Sequence, residues 1–142
     1  MRIGVVALGM IALLLSSAVV TADVAPKPSK ITKAQAAGPI FDDARVQHES
    51  RFGPTSNLEL LKSADAHFTA GLYKAGAGDF PIDAYPEDEF CYFLSGNVKL
   101  TSADGNVLEL KAGDSVFIPK GWKGRWTTGG YSKYYAVYNA SH

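Results

Sequence analysis

The sequence holds one cysteine, Cys91, and three histidines in 142 residues. A lone cysteine excludes an internal disulfide, so stability comes from packing or from association. Three histidines leave little imidazole for a metal centre built on nitrogen donors. Net charge is missing as well: 14 Lys and Arg balance 14 Asp and Glu. That removes the electrostatic case for nucleic acid or for an anionic membrane surface. No repeat of solenoid length is visible. Beyond residue 40 no stretch offers a convincing amphipathic helix.

One long apolar run is present, over residues 3–20. Met1 and Arg2 precede it, and Val20-Thr21-Ala22 forms a small-residue cleavage pattern before Asp23. This is the layout of a secretory signal peptide, residues 1–22, cut after Ala22. An uncleaved anchor is the rival reading, because the run is nearly long enough to span a bilayer. Cleavage predicts an exported protein, periplasmic or secreted, with no stable membrane association. Residues 23–39, with Pro26, Pro28 and three lysines, read as a flexible linker. At most a turn of helix fits over residues 32–37, stopped by Gly38-Pro39. Residues 40–142 then form a single domain.

That domain reads as all-β. Short candidate strands cover residues 58–62, 67–74, 89–94, 98–102, 107–110, 115–118, 124–128 and 133–138. Residues 52–57 read as a loop, Ser95-Gly96-Asn97 and Gly129-Gly130 as turns, and Asp104-Gly105 as a hairpin turn. Residues 40–51 are expected to lie across the outside of the sheet. Many short strands with glycine turns point to a closed sandwich or barrel.

Side chains alternate along a strand, so parity assigns faces. Glu89, Cys91 and Phe93 share one face; Phe90, Tyr92 and Leu94 share the other. Both faces are largely apolar and need cover: the barrel interior on one side, and the N-terminal segment or a second subunit on the other. Two readings stand for Glu89: a hydrated carboxylate at the rim, or a pocket carboxylate that needs a partner or a ligand. Asp83 and Tyr85 have the same parity and add a carboxylate and a phenol. Trp122, Gly124, Trp126 and Thr128 share a further inward parity and would make a flat aromatic platform. Lys123 and Arg125 fall on the opposite one. Cys91 reads as a buried small hydrophobe.

Tyr85-Pro86-Glu87-Asp88-Glu89-Phe90-Cys91-Tyr92-Phe93-Leu94-Ser95-Gly96, with Gly113-Asp114 and Ile118-Pro119-Lys120-Gly121-Trp122-Lys123-Gly124-Arg125-Trp126, resembles the cupins. More narrowly it resembles the cupin domain of (S)-ureidoglycine aminohydrolase. The resemblance implies a double-stranded β-helix, or jelly roll, and often a homodimer. Spacing agrees with both cupin motifs: six residues stand between Glu89 and Gly96, and five between Gly113 and Pro119. The ligands disagree. The resemblance would place His-x-His at Asp83 and Tyr85, and another His at Gly124. Only Glu89 of the four remains. No cofactor is therefore expected. A divalent metal such as manganese, in a site rebuilt from Asp83, Tyr85, Glu89 and His67, is the alternative.

Three functions are compatible with these residues. The first is an exported single-domain cupin binding a small polar organic molecule, with Tyr73, Asp83, Cys91, Phe93, Trp122 and Trp126 lining the pocket beside Glu89 and Tyr85. The second is a lyase, isomerase or hydrolase using Glu89 and Tyr85 as the acid and base. The third is a filled, non-catalytic module for structure or dimerisation. An open cavity would separate the first two from the third. Glu89 titrating near neutrality in an apolar pocket would favour catalysis; Glu89 locked to Lys123, Arg125 or another cation would make a structural salt bridge the better account.

Overall fold

The structure is a computed structural model and describes residues 26–49 and 53–140. The expected signal peptide lies outside the described residues. Within the expected linker, Lys33–Ala36 forms a single helical turn, α1. Thr32 caps it: its hydroxyl accepts from the Gln35 amide while the Gln35 side chain accepts from the Thr32 amide. That reciprocal pair satisfies backbone donors a helix start leaves open. A 3-10 turn follows at Pro39–Asp42 and packs on the sheet at β2, as expected for a segment lying across the outside.

Eight strands follow: β1 Gln47–Glu49, β2 Thr55–Lys62, β3 Phe68–Ala75, β4 Gly78–Ile82, β5 Asp88–Ser102, β6 Val107–Lys111, β7 Ser115–Ile118 and β8 Gly124–Tyr138. All pairings are antiparallel. The fold is all-β and antiparallel, a jelly roll, as the sequence predicts. The segment read as a loop at residues 55–57 is instead the start of β2, paired to both β1 and β3.

Two strands organise the rest. β5 and β8 pair with each other along nearly their whole length. On its other edge β5 pairs first with β7 and then with β6. β8 pairs first with β4 and then with β3. Each long strand thus serves two sheets, turning a corner midway. The corners are the glycine segments that the sequence suggests are turns. There the strands bend without ending. Opposite Ser132 and Lys133, β5 carries one extra residue, Leu94; opposite Asn97 and Val98, β8 carries one extra, Gly129. Such bulges bend a strand and re-aim its side chains. Gly96 has φ +76°, and a Cβ there would stand 1.9 Å from the Gly130 carbonyl oxygen. Only glycine lets the two corners approach so closely.

The core gathers along these strands: Cys91, Phe93, Val98, Leu100, Ile118 and Trp126 are buried and pack together. Parity holds on the first half of β5, where Glu89, Cys91 and Phe93 are buried. Past the bulge it inverts, and Val98 and Leu100 face inward. The described residues of this chain do not cover the opposite face: Phe90 and Tyr92 on β5 and Phe117 on β7 are exposed. The Phe90 and Phe117 rings touch at 5.0 Å between centroids.

Candidate functional site

A cavity of about 740 Å³ opens between the C-terminal half of β8, β2, β3 and β4, with residues 83–87 arching over one side. The arch is anchored by its backbone. The Tyr85 amide donates to the Trp122 carbonyl at 2.8 Å, and the Gly121 amide donates to the Tyr85 carbonyl at 2.8 Å. Held this way, the Tyr85 ring lies parallel to Trp126 at 6.5 Å and edge-on to Trp122 at 6.2 Å. Phe80 stacks against Trp126 from β4 at 6.5 Å. The centroid spacings are those of offset stacks.

The cavity is built on a buried ion pair. Lys133 Nζ donates to Glu89 Oε1 at 2.7 Å, and both side chains are 6% exposed. The same ammonium donates to Cys91 Sγ at 3.3 Å. It stands 5.6 Å from the centroids of Tyr73 and Trp126 and 5.9 Å from that of Tyr131, within cation–π range. The Tyr85 hydroxyl donates to the second Glu89 oxygen, Oε2. Burial, the largest single influence, lowers the Lys133 pKa, but the Glu89 carboxylate together with Tyr85, Tyr131 and Cys91 outweighs it and holds the amine charged. Burial pushes the Tyr85 phenol up, so at neutral pH it is a hydrogen-bond donor and not a base. Burial likewise pushes the Cys91 thiol up to about 12. The thiol is neutral despite the adjacent ammonium, because desolvation outweighs that attraction.

Lys133 is the central residue that the sequence reading did not single out. Extending the parity of Trp126 and Thr128 along β8 would face it outward. The extra residue at Gly129 inverts the parity, so Tyr131, Lys133, Tyr135 and Val137 line the cavity instead. The available signals were two glycines inside a strand, which mark a bulge, and one lysine in an aromatic run.

The expected site residues separate into two groups. Glu89, Tyr85, Tyr73, Trp126 and Asp83 line the cavity, with Asp83 exposed at its rim. Cys91, Phe93 and Trp122 do not line it. Cys91 and Phe93 are wholly buried in the core, and Trp122 donates its indole N–H to Ser102 at 3.0 Å. Lys123 is exposed, and Arg125 pairs with Asp79 at 2.7 Å. His67 is not among the lining residues and stands edge-on to Tyr138 at 6.0 Å.

The donor set does not fit a divalent metal. Both Glu89 oxygens are engaged, and a fixed ammonium already supplies positive charge at that carboxylate. Among the described residues, no three His, Cys, Asp or Glu side chains converge as a metal site.

The comparisons agree with this architecture. No curated protein matches the chain. Among solved structures, the ethanolamine utilization protein Q (EutQ) of Salmonella typhimurium LT2 is 26% identical, with TM-score 0.52, over 62% of this chain and 72% of that one. A protein of unknown function from Pseudomonas syringae pv. tomato superposes with TM-score 0.60 at 21% identity, over 66% of this chain but 44% of that one. The ectoine synthase of P. lautus gives TM-score 0.57 at 14% identity, over 70% of this chain and 73% of that one. The last two likenesses speak to the fold alone. The narrower resemblance to the ureidoglycine aminohydrolase domain is not what these matches carry. Residues 62–135 match the EutQ-like cupin domain, more than half of the sequence, and the chain belongs to that family.

Proposed function

We propose that this cupin binds a small polar organic molecule in its cavity, using a fixed lysine–glutamate pair in place of a His-ligated metal. The observation that carries the reading is the open cavity of about 740 Å³ with the buried Lys133–Glu89 pair in its wall. A filled barrel would have favoured a purely structural module. A cavity of this size, walled by aromatic rings with a few polar groups, suits a small ligand. Both Glu89 oxygens already accept hydrogen bonds, which favours binding over general acid–base chemistry. The test is a thermal-shift screen of small polar organic compounds, followed by calorimetry. Saturable binding that is lost in Tyr73→Ala is expected. If no compound binds and an experimental structure shows the cavity filled by side chains, the structural-module reading replaces this one.

The catalytic alternative keeps one observation in its favour, the Tyr85–Glu89 hydrogen bond. It requires Glu89 to exchange protons with a substrate. Turnover of a bound compound that disappears in Glu89→Gln, with its affinity retained, would establish it.

The layout of residues 1–22 supports export and cleavage. Edman sequencing of the processed protein tests this, with Asp23 as the expected first residue. The exposed Phe90, Tyr92 and Phe117 face supports pairing of two copies.

A further inference from the structure

We propose that the ligand is a small neutral carbonyl compound, an amide or a ketone, whose oxygen is received by the hydroxyl of Tyr131 with that of Tyr73 beside it. This deepens the reading of the cavity as a small-molecule site and rests on it. The hydroxyls, amine and carboxylate buried in the cavity wall are mostly engaged. Lys133 donates to Glu89 and Cys91, and Tyr85 donates to Glu89. Thr55 donates to the Glu49 carbonyl and Thr128 to the Asn97 carbonyl. Tyr131 is different. It lines the cavity and is 8% exposed, yet its hydroxyl makes no hydrogen bond among the described residues. That hydroxyl is also reachable. Among the described residues that are not exposed, the Trp126 indole N–H is the one side-chain N or O atom both unpaired and closed to solvent, so the unpaired Tyr131 hydroxyl is open. Phe93 and Trp126, each 5.7 Å away between ring centroids and almost wholly buried, back the Tyr131 ring. Its open side is therefore the cavity.

Burial holds the Tyr131 phenol protonated, above the ordinary phenol range, so it serves as a donor. Tyr73 lines the same cavity with its ring 6.1 Å from that of Tyr131. Its hydroxyl likewise makes no hydrogen bond among the described residues. Two phenol donors suit one carbonyl oxygen, which accepts through two lone pairs. Charge balance disfavours the ionic relatives. Glu89 already neutralises Lys133 at 2.7 Å, so a carboxylate at this depth would be an anion without a counter-charge. An ammonium group would bring further donors to a wall of donors. It would also approach the Lys133 charge, which stands 5.6 Å from the Tyr73 ring and 5.9 Å from the Tyr131 ring. A neutral carbonyl group meets the hydroxyls and needs no counter-charge.

Calorimetry with the full chain and three matched probes tests this. Benzamide, benzoate and benzylammonium share one ring and differ in the polar group, which is a neutral carbonyl, an anion or a cation. Benzamide is expected to bind at least about tenfold more tightly than either ion. Tyr131→Phe and Tyr73→Phe keep the rings and remove only the hydroxyls. Each should weaken benzamide about threefold to tenfold while the variant still melts cooperatively. Binding by ring contact alone would be kept or strengthened by the same changes. If either ion binds as tightly as benzamide, or if both variants bind benzamide as the parent does, the carbonyl inference fails while small-molecule binding stands. If none of the three binds but the broader screen yields ligands, carbonyl compounds weakened by Tyr131→Phe support the inference, and ligands indifferent to that change overturn it. If no compound of any class binds, both readings fall together.

Discussion

At the scale of single residues, the Lys133–Glu89 pair carries the sharpest expectations. Lys133→Met leaves a carboxylate buried without its counter-charge and should destabilise the fold by about 3–5 kcal/mol. Combining it with Glu89→Gln removes the stranded charge and should restore much of that loss. Denaturant titration of the two single variants and the double variant measures the coupling. Additive losses would show that the pair does not act as a unit. Cys91 gives a second check. It is fully buried with its thiol pushed up to about 12, so maleimide should label it only after unfolding. Rapid labelling of the native protein would contradict this. Glu89 was legible in the sequence as a carboxylate among apolar neighbours needing a partner. The partner was not, because it lies 44 positions away, and local charge patterning cannot reach that far.

At the scale of elements, most strand positions were readable, but β1, the start of β4 and strand continuity were not. The hairpin at Asp104-Gly105 forms, but only one of its two turn residues takes a positive φ: Gly105 has φ +88° and its amide donates to the Ser102 carbonyl. Ser95-Gly96-Asn97 and Gly129-Gly130 carry the same kind of signal but serve as corners within β5 and β8. Glycine reports a need for unusual backbone or close approach, and it does not say whether the chain then reverses. The two kinds of site should respond differently to substitution. Gly96→Ala meets both a positive φ and the Gly130 carbonyl. Backbone conformation alone costs about 1–3 kcal/mol, and the overlap adds to it. Gly105→Asn sits in open space at a φ that asparagine tolerates, and should cost less than about 1 kcal/mol. Thermal melts of both variants test the contrast. Deleting Gly129 is the stronger test of the corner. It would restore the parity of the first half of β8 and turn Lys133 out of the cavity, so ligand binding should vanish even if the sheet still forms.

At the scale of the whole molecule, the buried groups set the response to pH. The Lys133 amine and the Cys91 thiol both hold their protons more tightly folded than unfolded. Where the unfolded chain has released those protons and the fold has not, stability falls with rising pH. The decline should begin near pH 9, the ordinary thiol value, and steepen as the lysine range is reached. Melting temperatures from pH 7 to 11 would show it, and a flat profile would argue against the buried pair. The uncovered face makes a further expectation. Phe117 is 77% exposed beside Phe90 and Tyr92, and Phe117→Glu should convert a dimer to a monomer by light scattering. A monomeric parent would refute the proposed association. The sharing of β5 and β8 between both sheets has one more result. No line can be drawn through the domain that parts one sheet from the other without cutting both long strands. Partial opening is therefore denied to either layer alone. Amide hydrogens of Cys91 and Leu100, on opposite sides of the corner, should exchange with solvent only through the same cooperative event, at the same free energy.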